Sequence, residues 1–342
     1  MKPRILIVYT GGTIGMIEDP KTKALKPFNF DHLIENVPKI KMLDYEIDHI
    51  QFPKPIDSSD MNVQHWHAIV RSIADNYDSY DGFVVLHGTD TMAYTASALS
   101  FMLGNLHKPV IITGSQLPIG EVRTDGEENL ITALQIAADR DRYGKPTVRE
   151  VAILFENYLW RGNRSTKRSA DNFNAFKSNN YPELAKIGLG IYFQREALRK
   201  IEVEKPLEPH YELDTHIMSL DLFPGLNEEI LRHQLATPGV KGIVLRSYGA
   251  GNAPTSPWFV NAIREAVERG IVILNVTQCV NGSVHPERYE AGDILAGTGV
   301  VSGHDITFEA AVTKMMYLFG LGLPPKEVAR QIAIPIAGEL TV

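Results

Sequence analysis

Residues 4–15 read Arg4-Ile5-Leu6-Ile7-Val8-Tyr9-Thr10-Gly11-Gly12-Thr13-Ile14-Gly15. The run Ile5 to Tyr9 is apolar, rich in β-branched residues and followed by glycine, so Arg4 to Tyr9 reads as a buried strand. The paired glycines then let the chain turn out of that strand abruptly. Runs of the same kind recur at Phe83–Leu86, Val110–Thr113 and Val151–Phe155, with helical patterns near Asn62–Asn76, Thr91–Leu103 and Gly126–Asp139 between them. Strands alternating with helices predict a parallel sheet covered on both faces, a doubly wound α/β arrangement.

From Tyr192 to Thr215 the pattern gives way to polar sequence with Lys205-Pro206 and Glu208-Pro209, which suits an exposed connector. Alternation then resumes, with strands near Ile217–Leu220, Gly242–Leu245 and Ile271–Asn275 and helices near Glu228–Leu235, Trp258–Arg269, Thr307–Gly320 and Pro325–Ile332. The expected organisation is two α/β domains: a larger N-terminal one with a mostly parallel sheet over residues 1–191, a linker over 192–215, and a smaller parallel one over 216–342.

Composition narrows the function classes. At 342 residues, 44% hydrophobic and 22% charged, the chain has ordinary globular usage and enough length for a sizeable core. Its 34 basic and 41 acidic residues leave a net charge of −7, which offers no phosphate-neutralising surface, so nucleic acid is not an expected partner. The single cysteine, Cys279, excludes a disulfide scaffold and a multi-thiolate zinc site and suits a reducing compartment. The apolar run at Ile5–Tyr9 stops at Thr10-Gly11-Gly12, shorter than a signal peptide needs, and no stretch approaches the roughly 18 apolar residues of a membrane span. These features place the protein in the cytoplasm, away from membranes.

Ligands of open parallel sheets bind beyond the carboxyl ends of the strands. Three such ends look alike here: Thr10-Gly11-Gly12-Thr13-Ile14-Gly15, His87-Gly88-Thr89-Asp90-Thr91 and Thr113-Gly114-Ser115-Gln116. Each alone is an ordinary turn with a helix cap; three on one edge predict a site, with glycine letting backbone amides face a ligand. The spacing is not that of a dinucleotide loop, a P-loop or a G-x-S-x-G elbow, which leaves threonine as the expected nucleophile. Threonine needs a neighbouring base. Thr89-Asp90 supply part of that arrangement, and the run from Arg161 to Arg168 would bring Lys167 to the same edge. Without that role Arg161, Arg164 and Arg168 read as a solvated loop. In His65-Trp66-His67 the i, i+2 spacing sends the two rings to different helix faces, so no metal site is expected.

The pairing of Thr10-Gly11-Gly12-Thr13-Ile14-Gly15 with His87-Gly88-Thr89-Asp90-Thr91-Met92 resembles the two signatures of the bacterial-type L-asparaginase family. Asp57-Ser58-Ser59-Asp60-Met61, Thr113-Gly114-Ser115-Gln116, Leu245-Arg246-Ser247-Tyr248-Gly249 and Gly338-Glu339-Leu340-Thr341 extend the resemblance over essentially the whole chain. The chain is most similar to the cytoplasmic type I members. The resemblance implies hydrolysis of L-asparagine to L-aspartate and ammonia without metal or organic cofactor. Thr13 would be the primary nucleophile, with Thr89, Lys167 and Asp90 as a second cluster that moves protons. Substrate contacts would come from Asp57, Ser58, Ser59, Thr89, Asp90 and Ser115, with Ser58 and Ser59 on the α-carboxylate and Asp90 on the α-ammonium.

The resemblance further implies a second, allosteric asparagine site at Arg246, Thr277, Gln278 and Cys279. A structural salt bridge at Arg246 and a buried Cys279 are the competing reading. The protein is expected to be a homo-oligomer, a dimer or a tetramer of paired dimers, with Asn252 and Ser283 reaching a neighbour's site. One departure stands out: the loop from Met16 to Pro27 lacks the tyrosine that activates the threonine in many members, and Leu25 stands in its place. A non-catalytic asparagine- or aspartate-binding protein is the alternative, which retention of both threonines and Lys167 argues against. An amidase acting in a transfer-RNA-linked glutamate system would carry partner-binding additions that this chain lacks.

Overall fold

A computed structural model describes residues 2–18, 25–27, 30, 35 and 37–342 and divides the chain into two compact units, Met1–Tyr211 and Glu212–Val342. In the first unit β1 (Arg4–Gly11) is buried from Ile5 onward. It pairs in parallel with β2 (Glu46–Ile56) on one side and β3 (Gly82–Leu86) on the other. β4 (Val110–Thr113) and β5 (Val151–Phe155) continue the parallel sheet. A tight turn at Glu156, whose φ is +50°, then returns the chain as β6 (Tyr158–Arg161), and β7 (Ala185–Ile187) and β8 (Ile191–Phe193) add antiparallel edges. The strand order is β8-β7-β6-β5-β4-β3-β1-β2.

β2 is an edge strand that hydrophobic periodicity does not announce. Its Pro53 and Pro55 argue against a central strand, but at an edge their missing amides take nothing from the ladder. Helices α1 (Val63–Ala74), α2 (Met92–Met102) and α3 (Gly126–Ala138) form where helical patterns were expected, α2 being buried around most of its circumference. Asn62 caps α1 by accepting the His65 amide at 3.2 Å, and the helix buries Trp66, Ile69, Val70 and Ile73, one face at helical spacing.

The stretch expected as a connector has structure of its own. β8 overlaps its start, Glu208–Pro209 pairs antiparallel with Leu103–Gly104, and the His210 amide donates to the Met102 carbonyl. These bonds tie the proline-containing backbone to the first unit as far as His210.

The second unit is a four-stranded parallel sheet in the order β9 (Ile217–Asp221), β10 (Gly242–Ser247), β11 (Val272–Thr277), β12 (Val301–Ser302). Around it lie α4 (Glu228–Leu235), α5 (Pro257–Glu268), α6 (Glu290–Ala296), α7 (Phe308–Gly320) and α8 (Pro325–Ile332). Leu231, Leu245, Phe259, Ile263 and Ile273 are among its core residues. In α7 the ammonium of Lys314, fully buried, meets the equally buried Glu339 carboxylate at 2.6 Å and two backbone carbonyls of residues 332 and 334. Among the described residues no helix is long and apolar enough to cross a membrane.

Candidate active site

The register brings the three glycine turns into one row, since Tyr9 lies opposite Leu86 and Leu86 opposite Thr113. Gly11 and Gly12 adopt φ of +133° and +88°, values that L side chains resist. A Cβ at Gly12 would lie 2.4 Å from the Gly88 nitrogen, one at Gly88 2.6 Å from the Ser58 hydroxyl, and one at Gly114 2.2 Å from the His87 carbonyl. The turns are therefore in backbone contact, and glycine is what lets them touch. Thr13 and Thr89 each directly follow a member of the touching pair Gly12 and Gly88. Thr13 opens a single 3-10 turn, Thr13–Gly15.

Lys167 arrives from far along the chain, on a short strand Ser165–Lys167 paired with Phe176–Ser178. Its amine donates to the Thr89 hydroxyl at 2.9 Å and to the Asp90 carboxylate at 2.6 Å. The Thr89 hydroxyl in turn donates to Gln116 Oε1 at 3.3 Å, while Gln116 Nε2 holds the carbonyls of Ala170 and Asn172 just beyond Lys167. Gln116 thus ties the threonine to the loop carrying the lysine. In the sequence Gln116 is only the last residue of the Thr113-Gly114-Ser115-Gln116 turn, and its place beside Ser115 is the one local signal of a role here.

Arg161 and Arg164 are buried, not solvated, and only Arg168 is exposed. The antiparallel return through β6 carries Arg161 into the interior. There it meets the Glu150 carboxylate at 2.5 Å and the Ala197 carbonyl at 2.9 Å, and both guanidiniums lie over the Tyr181 ring.

Of the expected substrate contacts, Asp57, Ser58 and Ser59 lie just past the end of β2. The Asp57 carboxylate accepts both the amide and the hydroxyl of Ser59 at 2.9 Å. Ser58 is buried; its hydroxyl accepts the Asp90 amide at 3.3 Å and its carbonyl the Thr91 hydroxyl at 2.7 Å. Ser115 turns its hydroxyl onto the Leu117 carbonyl. Behind it the Asp125 carboxyl, pushed up by burial, receives the amides of Gln116 and Leu117. A cavity of about 290 Å³ opens beside this row, lined by Gly12, Ile56, Asp57, Lys54 and His65 among others. That size suits a small ligand.

Beneath Gly88 lies fully buried His87, its imidazole pulled down to about 4 by desolvation and so neutral. Its Nδ1–H donates to the Gly88 carbonyl at 2.6 Å, and Nε2 accepts the Thr95 hydroxyl, which accepts the Trp66 indole. The middle residue of the His65-Trp66-His67 stretch therefore serves this chain. Among the described residues no cluster of histidine, cysteine and carboxylate side chains is arranged to hold a metal ion.

In the second unit β10 and β11 end side by side, with Ser247 opposite Thr277. Arg246 pairs with Asp221 at 2.8 Å and lies over the Phe308 ring. The Thr277 hydroxyl bridges the Gly249 carbonyl and the Cys279 amide, and Gln278 Nε2 donates to the carbonyls of Leu222 and Arg246. Cys279 is exposed. Asn252 closes the turn with Tyr248. For the loop after the first motif, backbone pairing joins Met16–Glu18 to Leu25–Pro27; residues 19–24 and the Leu25 side chain lie outside the described residues.

A family model described as "Asparaginase, N-terminal" matches residues 4–199, and one described as "Glutaminase/Asparaginase C-terminal domain" matches residues 216–332. The chain belongs to the asparaginase family. L-asparaginase 1 of Escherichia coli (strain K12) is 42% identical over 351 residues, covering 99% of this chain and 98% of the relative. The crystal structure of L-asparaginase I from Vibrio cholerae superposes with a TM-score of 0.91 at 39% identity, covering all of both chains. The thermostable L-asparaginase from Thermococcus kodakarensis gives 0.89 at 32% identity over 99% of each chain. As a member of this family the protein is an amidohydrolase, and its two α/β units with largely parallel sheets are the family's fold.

Proposed function

We propose that the protein hydrolyses L-asparagine to L-aspartate and ammonia with Thr13 as nucleophile. One observation carries the reading: the Gly12–Gly88 contact sets the Thr13 turn against a second threonine bound to a lysine that also holds a carboxylate. The Thr13 oxygen adds to the side-chain amide carbon. The C–N bond breaks, nitrogen leaves as ammonia with the proton it gains, and water cleaves the resulting ester to release aspartate and restore the threonine. Lys167, bridging Thr89 and Asp90, relays protons to the leaving nitrogen and from the attacking water. The exposed Asp90 carboxylate takes the substrate's α-ammonium, and the Ser58–Ser59 donors take its α-carboxylate.

The same reading extends to regulation by asparagine at Arg246, Thr277, Gln278 and Cys279, supported by their convergence on one strand-end row. Because Arg246 is held by Asp221, an effector carboxylate would compete with that partner for the guanidinium. The protein acts as a homo-oligomer, and its exposed lone thiol suits the cytoplasm.

The test is ammonia release across a wide L-asparagine range for the parent, Thr13→Ala and Arg246→Ala. Loss of turnover in Thr13→Ala, with a sigmoidal parent curve made hyperbolic by Arg246→Ala, is expected. Undiminished turnover in Thr13→Ala overturns the nucleophile, and a hyperbolic parent curve overturns the regulatory site.

A further inference from the structure

The Thr13 turn is pinned from beneath by a residue that none of the site motifs includes. Tyr9 points into the core beside Ile5, Ile7, Ile14 and Phe30, and its hydroxyl donates to the Gly15 carbonyl at 3.0 Å. A phenol in an apolar core costs stability unless its hydroxyl finds a partner, whereas phenylalanine would fill the same space without needing one. The fit is reciprocal. A Cβ at Gly15 would lie 1.9 Å from the Tyr9 hydroxyl oxygen and 2.5 Å from the ring carbon bearing it. With tyrosine at position 9, only glycine fits at position 15.

Gly15 is also the residue that closes the turn, its amide donating to the Gly12 carbonyl at 3.1 Å, while the Ile119 amide donates to the Ile14 carbonyl and Ile14 itself is fully buried. Thr13 sits between these fixed points.

We propose that Tyr9 is a positioning residue for the nucleophile: through its bond to Gly15 it sets the backbone from which Thr13 reaches the amide carbon. The proposal rests on the assignment of Thr13 above. Burial pushes the Tyr9 phenol up to about 12, so it remains a donor at any working pH. A nucleophile displaced by an ångström loses rate far more than it loses binding. The hydroxyl therefore acts on kcat, not on KM.

The decisive variant is Tyr9→Phe, which removes one oxygen, run beside Thr13→Ala. The expected result is kcat lower by about tenfold or more with KM within about twofold of the parent, the signature of an interaction used in the transition state. Capture of Thr13 by an electrophilic asparagine analogue, followed by mass spectrometry, slows in the same proportion. If Thr13→Ala is inactive while Tyr9→Phe turns over within about twofold of the parent, the positioning role is wrong and the nucleophile stands. If Thr13→Ala stays active, the nucleophile assignment falls first and the Tyr9 role with it.

Should Tyr9→Phe fail to fold, Gly15→Ala and the pair Tyr9→Ala with Gly15→Ala decide. A loss of kcat in Gly15→Ala that the paired change relieves supports the lock. Parent-like turnover in Gly15→Ala, or a loss the paired change leaves untouched, overturns it.

Discussion

Replacing Lys167 with methionine sets two energies against each other. The amine is mostly buried and donates to Thr89 at 2.9 Å and to Asp90 at 2.6 Å, but the Asp90 side chain is 63% exposed. An ion pair screened to that degree contributes at most about 1 kcal/mol, and the bond to the hydroxyl about as much again. Methionine keeps the contacts of the lysine stem. The expected stability loss is therefore about 1–2 kcal/mol, which in a unit of about 210 residues lowers its melting point by only a few degrees. A proton relay, by contrast, is worth about 10²- to 10⁴-fold in rate, or about 3–5 kcal/mol of activation energy. The catalytic loss must dominate. The assay is ammonia release at 25 °C with thermal unfolding followed on the same preparation: kcat is expected to fall at least about a hundredfold in a protein that remains folded. A folded Lys167→Met protein within about tenfold of parental kcat would refute the relay.

Two further outcomes follow from buried groups. His87 takes up a proton near pH 6.5 when unfolded but not until about 4 in the native state, so its contribution is full above pH 6.5 and is lost as pH falls toward 4, by about 3 kcal/mol. Denaturant midpoints at pH 7 and pH 5 should show a smaller acid loss in His87→Gln than in the parent; equal losses would exclude His87 as the source. In the second unit, burial pulls the Lys314 amine down, and Glu339→Ala would strand that charge in the core. The expected cost of about 3–5 kcal/mol lowers the melting point of this roughly 130-residue unit by about 10–20 °C. Adding Lys314→Met to Glu339→Ala should recover much of that loss, and a single variant melting with the parent would contradict the buried-charge argument.

The central strands and the helices were legible because a strand buried on both faces must be apolar throughout, and a helix on its face must repeat every three to four residues. β2 was not legible: at the sheet edge only Phe52 among its residues is buried and its prolines are tolerated, so it lacks both signals. The antiparallel strands β6 to β8 run only three or four residues each, too short for a period to show. The stretch from 192 to 210 looked like a connector because polar, proline-containing sequence says nothing of backbone bonds made to Leu103–Gly104. Arg161 and Arg164 looked solvated because a charge is legible while its buried partners, Glu150 and the Tyr181 ring, are not local.

By itself the sequence determined which residue types stand at each strand end, that a threonine directly follows glycine at two of them, and that the pairing of motifs is that of one enzyme family. Tertiary structure decided which of these residues meet. Thr89 and Lys167 are 78 residues apart, and Gln116 reaches both the threonine and the loop beyond the lysine. The reason is physical: parallel strands can be joined only by long crossovers, so neighbours in the sheet are distant in the chain. Local pattern reports burial and turning, not the partner across the sheet. The touching glycines show the same division, since their freedom to turn is a property of the residue, whereas the contact that requires it exists only once β1 and β3 lie side by side.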